Sequence, residues 1–232
     1  MLLPNQASTI SRGERSGKIA MIGTGWRRRL ASLFFVLAAS VLAAEAPRGL
    51  RDSRLLSFAV SDFRDSGGKR WIRMSCEYEG HYKESVDDLV ATLWDFPRSP
   101  RVFSRIEAVR VRSDADGAAV TEQKSAVRVL GLAFVSNLVF SNRVSRDGPG
   151  DATVSFEMIE TDGSCLSAKG CWTFEDDPGP DGGATLARYS IESCVAPRFP
   201  GQEAVMRIFG AAEIGRLMRE LGAAVARKGD RG

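Results

Sequence analysis

Residues 93–111 read LWDFPRSPRVFSRIEAVRV. Pro97 cannot extend a helix arriving through Leu93, because it has no N–H for the i−4 bond and its ring clashes with the preceding turn. Pro100 suits a first helical turn, where that N–H has no partner in any case. The stretch therefore closes one helix near Pro97, opens a short second helix over residues 100–106, and enters a strand at residues 108–112. Upstream, Ser85 has the character of an N-cap, Asp87 and Asp88 fall in the first turn, and Val86, Leu89, Val90 and Leu93 recur at helical spacing. Before that helix, residues 71–79 (WIRMSCEYE) alternate apolar and polar at the period of a strand.

Downstream the pattern is strand after strand, over residues 118–127, 134–144, 152–160, 164–174 and 184–194. Turn signals separate them at 114–117, Gly131, 147–150, 162–163 and 176–183. Such short spacers imply antiparallel pairing, since parallel neighbours need crossovers of a dozen residues or more. After Pro197 and Pro200, residues 202–228 repeat apolar side chains three or four apart, at Val205, Ile208, Phe209, Ala212, Leu217, Leu221 and Val225. Arg207, Glu213, Arg216, Arg219 and Glu220 form the opposite face, so this is an amphipathic helix. The expected fold is α+β: one sheet of seven antiparallel strands, two short helices after the first strand, and a long C-terminal helix across the sheet. Residues 46–70 form an N-terminal extension whose apolar patch at 55–60 suits an extra strand, a helix or irregular chain. Residues 229–232 are a tail.

Composition changes sharply at the N-terminus. Arg27, Arg28 and Arg29 precede an uncharged apolar run over 30–42, followed by small residues that allow cleavage after Ala43 or Ala44. Residues 1–45 thus read as a secretory signal with its start at Met21, which places the domain outside the cytoplasm, in the periplasm or beyond the cell. An uncut N-terminal anchor would face the domain the same way. Residues 1–46 carry six of the 32 basic and two of the 29 acidic side chains, so the rest of the chain holds 26 and 27, a net charge of −1. A nearly neutral domain without a basic stripe lacks the footprint for nucleic acid. The remaining ~186 residues suit a single domain.

Catalytic constellations are sparse. His81 is the one histidine, with no nucleophile elbow or second ligand beside it, and reads as a surface residue. The four cysteines form no C-x-x-C pair, and no glycine-rich loop carries the Lys-Ser/Thr of a phosphate cradle, so no metal or cofactor is implied. Tyr189, and Glu122 or Gln123, are the polar groups that could face an interior, although Glu122 reads more simply as solvated. Arg188 and Glu192 read as an outer cross-strand charge pattern.

Trp94, Asp95, Phe96, Pro100, Phe103, Ile106 and Val109 follow the W-D-hydrophobic…P..F..I..V pattern, and residues 170–174 (GCWTF) with 185–191 (TLARYSI) have the look of a closing hairpin. Residues 71–228 on this basis resemble the START-like helix-grip superfamily, which includes polyketide cyclases, aromatase/cyclases, Bet v 1 allergens and coenzyme Q-binding proteins. The resemblance implies an apolar ligand between the concave sheet face and the long helix. Strand parity then nominates Phe134, Leu138 and Phe140 on one strand, Phe156 and Met158 on the next, Trp172 and Phe174, and Tyr189 and Ile191 on the last two. Phe103 and the helical Met206 and Phe209 complete the expected lining. Parity alone does not separate a cavity from a filled core made of the same residues.

An oxidising compartment favours disulfides. Aligning Phe174 with Thr185 sets Cys165 opposite Cys194, the preferred bridge. The helix-grip order, in which first and last strands are neighbours, offers Cys76 with Cys194 instead, and free buried thiols are a third state. The expectation is thus an exported, monomeric, non-enzymatic binder of a lipid-like, quinone-like or aromatic molecule, with a membrane surface as a further contact. A cyclase or hydratase, and a structural envelope protein with a filled core, are the alternatives.

Overall fold

The structure, a computed structural model, describes residues 49–129, 132–177 and 184–229. The expected signal over residues 1–45, its cleavage positions and most of the tail lie outside the described residues. Residues 46–232 form one compact unit.

The elements are β1 (Leu50–Arg64), β2 (Arg70–Tyr82), α1 (Val86–Trp94), a 3-10 turn (Phe96–Arg98), α2 (Ser99–Val102), β3 (Ile106–Ala115), β4 (Ala118–Val129), β5 (Leu132–Gly148), β6 (Asp151–Thr161), β7 (Cys165–Asp177), β8 (Ala184–Val195) and α3 (Gln202–Gly229). The strands make one sheet in the order β1-β2-β8-β7-β6-β5-β4-β3, and every neighbouring pair is antiparallel. This is the expected α+β arrangement with one correction: the sheet has eight strands, not seven. The extension supplies the additional one. Its Asp-Ser-Gly-Gly segment is the turn of a β1–β2 hairpin, in which Asp65 Oδ1 accepts from the N–H groups of Gly67 and Lys69 at 2.9 Å and Gly68 takes φ +77°. Trp71 Nε1 donates to Asp65 Oδ2 at 2.8 Å, and this bond holds the Asp65 carboxyl below its ordinary pKa.

The helical pair also differs in detail. Ser85 caps α1 as expected, its Oγ accepting from Asp88 N at 3.2 Å, and Val86, Leu89, Val90 and Leu93 are all buried. The second helix is shorter than residues 100–106. The 3-10 turn and one turn of α-helix end at Phe103, which is already extended at φ −109°, ψ 113°, and delivers the chain directly into β3.

Helix α3 lies across the sheet, approaching β1 and β2 most closely, and also touches α1 and α2. Glycines set that close approach. A Cβ at Gly222 would lie 2.9 Å from Leu50 N, and one at Gly215 would lie 2.8 Å from the Tyr78 hydroxyl. The buried stripe of α3 is Ile214, Met218, Leu221, Ala224 and Val225. Ile208, expected on that face, is 66% exposed, because the seam follows the glycine notches and turns away from it. Tyr82 fixes the far end, donating from its buried hydroxyl to Met218 O at 2.9 Å.

Candidate ligand-binding cleft

Pairing registers define the face beneath α3. Cys76, Ile191 and Gly170 lie in one row, Tyr78, Tyr189, Trp172 and Val154 in the next, and Gly80, Ala187 and Phe174 in the third. On β5 and β6, Phe140 faces Met158 and Val144 faces Val154. By register Phe140, Phe156, Met158, Trp172, Phe174, Tyr189 and Ile191 share one face of the sheet. Burial divides the expected lining in two. Phe103, Phe140, Trp172, Phe174 and Tyr189 are buried, whereas Phe134, Leu138, Phe156, Met158, Ile191, Met206 and Phe209 are half-buried.

The buried members are packed core. Trp172 lies 4.6 Å from Tyr189 and 6.0 Å from Phe174 between ring centroids, and Phe103, Leu89, Leu93, Met218 and Leu221 close over them. Burial raises the Tyr189 phenol well above its ordinary pKa, against a smaller opposing pull from the Arg105 charge, so it remains a protonated hydrogen-bond donor. A second cluster of Phe140, Cys165 and Ala168 is flanked by Leu138, Phe156, Met158 and Val195. Phe156 joins the two, stacking on Tyr189 at 6.3 Å and meeting Phe140 edge-on at 6.0 Å. It sits over Gly170, where a Cβ would lie 2.6 Å from the ring.

The half-buried members mark a cleft. At one end of this face α1 lies against β6 and β7, and α2 against β3. Phe134 is stacked on Phe199 at 5.1 Å near the start of α3. The β4 side of the cleft is polar: Gln123 Nε2 donates to Ser125 Oγ at 2.7 Å, and Asn142 Nδ2 donates to Thr121 Oγ1 at 3.0 Å. Arg105, in the turn between α2 and β3, reaches α3 and pairs with Glu213 at 2.8 Å. Its Nε is buried without a partner.

A trough of about 680 Å³ adjoins the same strands. Ser57, Ser75, Glu77, Ser155, Lys169, Cys171, Ser190 and Glu192, which by register belong to the opposite side of the sheet, line it together with Cys76, Phe156, Gly170 and Ile191 of the concave-face rows. Its walls combine hydroxyl- and charge-bearing residues with apolar ones. The residues expected to line an apolar cavity are thus divided between a packed core and a half-buried margin.

Other candidates fall outside the cleft. Glu122 lies on the outer face, 3.4 Å from Arg112, while Gln123 is the inward neighbour. His81 is on the outer face, its Nδ1 2.7 Å from Asp52 Oδ1. The bridge between Cys165 and Cys194 is not formed, and all four cysteines are free. Phe174 pairs with Ala187 rather than Thr185, and a bulge at Leu166 sets Cys165 opposite Val195 and Ser167 opposite Cys194. Cys76 pairs with Ile191 while Cys194 pairs with Arg73, so the other bridge is out of register as well. Burial pushes the Cys76 and Cys165 thiols up to about 11. Arg105 and Glu213 went unrecognised as site residues in the sequence, where charged side chains off the apolar pattern carry no signal of a shared site.

No protein-family model and no curated protein sequence matches the chain. Solved structures do. A STAR-related lipid transfer protein from Xanthomonas axonopodis superposes with a TM-score of 0.54 at 16% identity, over 72% of this chain and 98% of that one. The Zhui aromatase/cyclase from Streptomyces sp. R1128 gives 0.52 at 14% identity, over 67% and 95%. Human STARD10 gives 0.53 at 9% identity, over 84% and 80%. At these identities the likeness is one of backbone architecture. The chain thus shares the fold of these solved structures, with β1 as an eighth strand beside β2.

Proposed function

We propose that this chain is an exported binding protein that holds a lipid-like, quinone-like or aromatic molecule in the cleft between sheet and α3 without changing it. The observation that carries this reading is the band of half-buried apolar side chains, Leu138, Phe156, Met158 and Ile191, on the concave face of the sheet. A surface of that kind left open to water is costly unless something apolar occupies it. The names of two superposable structures, a lipid transfer protein and an aromatase/cyclase, supply the same class of ligand by analogy of fold. Export rests on the basic, apolar and small-residue zones of the first 46 residues. The non-catalytic reading rests on the cleft's polar groups: Gln123, Ser125 and Asn142 are two neutral amides and a hydroxyl, and the charged Arg105 is engaged by Glu213. As a binder the protein works as a monomer with its cleft facing a membrane surface or a partner from which the ligand comes.

Native protein purified from its own host should carry a co-purifying apolar molecule detectable by mass spectrometry, and the emptied protein should enhance the fluorescence of Nile red. Absence of both sinks the carrier reading in favour of a structural protein with a filled core. Turnover of a polyketide-like substrate that is lost on Tyr189→Phe or Gln123→Ala would replace it with a catalytic one.

A further inference from the structure

Arg105 occupies an unusual place. It leaves the turn between α2 and β3, its main-chain O accepts from Ala126 N at 2.9 Å, and its guanidinium reaches α3, where Nη2 meets Glu213 at 2.8 Å. Its neighbours are Ser125, opposite Ile106 in the β3–β4 ladder, and Gln123, which is hydrogen-bonded to that serine. Arg216 shares the Glu213 carboxylate, so that acid is divided between two guanidinium groups. Arg105 Nε is buried and makes no hydrogen bond. A buried donor of a charged group left unmet is expensive, and an acceptor brought in by a ligand would relieve it.

We propose that Arg105 receives the polar end of the ligand, and that the ligand is an amphipath with an acceptor head, a carboxylate or carbonyl, on an apolar body lying along Phe156 and Ile191. This rests on the binding reading above and narrows it to a chemical class. The amide and hydroxyls of Gln123 and Ser125 line the same end, so the head meets polar groups while the tail meets the half-buried apolar band. Glu213 competes with the ligand for Arg105 and holds the guanidinium in place when the cleft is empty.

The test displaces Nile red with three molecules that share one C16 chain: palmitate, methyl palmitate and hexadecylamine. Palmitate and its ester should displace the dye at concentrations at least ~10-fold lower than the amine, the factor expected for one hydrogen bond to a charged group. Palmitate binding stronger than the ester identifies a carboxylate head, and equal binding a carbonyl. Arg105→Met should remove the preference and weaken palmitate by about 10-fold, each competitor being referred to the variant's own Nile red affinity. Glu213→Gln should strengthen palmitate several-fold. Circular dichroism and the thermal midpoint check that both variants are folded. If the three heads compete equally, or Arg105→Met leaves the preference intact, the assignment to Arg105 is wrong although the cleft still binds apolar molecules. If Nile red and all three competitors fail to bind the wild-type protein, the binding reading itself falls.

Discussion

Single side chains show how finely the two faces of the sheet are distinguished. Glu79 belongs to the outer face, yet its side chain is only 8% exposed, clamped between Arg54 and Arg188, whose Nε atoms each donate at 2.9 Å. The hydrogen bond from Arg188 is the main cause that holds the Glu79 carboxyl below its ordinary pKa, with Arg54 adding to it against the opposing effect of burial. A depressed carboxylate pKa contributes stability that is fully present above the unfolded value of about 4.3 and is lost as pH falls through the folded value. Both arginines are more than half exposed, so water screens much of the attraction and Glu79→Gln should cost about 1 kcal/mol at neutral pH. Urea titrations of the two proteins should differ by that amount at pH 7 and converge below pH ~4. A difference that persists unchanged at pH 3 would mean the residue acts through packing instead. Alternation in WIRMSCEYE revealed that Glu79 faces away from α3, but nothing local revealed the two arginines that bury it, since Arg54 and Arg188 are 25 residues before and 109 after it in the chain.

At the scale of elements, the glycines of α3 decide where the helix rests. A helix-interior glycine costs roughly 0.5–1 kcal/mol relative to alanine, so a glycine retained there for packing should reveal itself on replacement. At Gly222 an added Cβ meets the main chain of β1, 2.9 Å from Leu50 N, and neither backbone can yield cheaply. Gly222→Ala should therefore lower stability by about 1–2 kcal/mol, the overpacking cost exceeding the gain in helix propensity. At Gly210 the nearest atom is the tip of the Phe58 ring at 2.6 Å, and that half-buried side chain can swing aside. Gly210→Ala should then be close to neutral, within about 0.5 kcal/mol. Thermal unfolding of the two variants under one condition separates these outcomes, and equal losses would contradict the seating of α3 on β1 described above. The period-3.6 pattern identified the extent of α3 but misplaced its seam at Ile208, because apolar side chains define a face only when the partner surface is smooth. Here the partner is notched, and the closest contacts are made by residues with no side chain at all.

For the whole molecule, topology was legible wherever short turns joined alternating strands, and the two short helices followed from Ser85, Pro97 and Pro100. Less legible were the features set by long-range pairing. The register of β7 on β8 slipped by a bulge at Leu166, which set Cys165 opposite Val195 instead of Cys194, and the cleft could not be told from a core because both use the same inward residues. The segment left most open was β1, whose alternation is broken by a register shift between Leu55 and Ser57 and whose charges at Arg51, Asp52 and Arg54 disguise a strand. That strand is structural rather than ornamental. It carries Leu50 and Val60, both buried, and Phe58, packed against the core, and it is half of the surface on which α3 lies. Burial of three such side chains is worth on the order of 5 kcal/mol, comparable with the whole stability of an ordinary domain. A chain beginning at residue 49 should therefore melt cooperatively, whereas one beginning at residue 66 should lose the cooperative transition, bind an apolar dye over its surface and self-associate through the newly exposed edge of β2. Differential scanning calorimetry and size-exclusion chromatography of the two chains decide the matter. A monomeric, cooperatively melting product from the shorter chain would show that seven strands suffice, and that α3 owes its position to β2 and α1 alone.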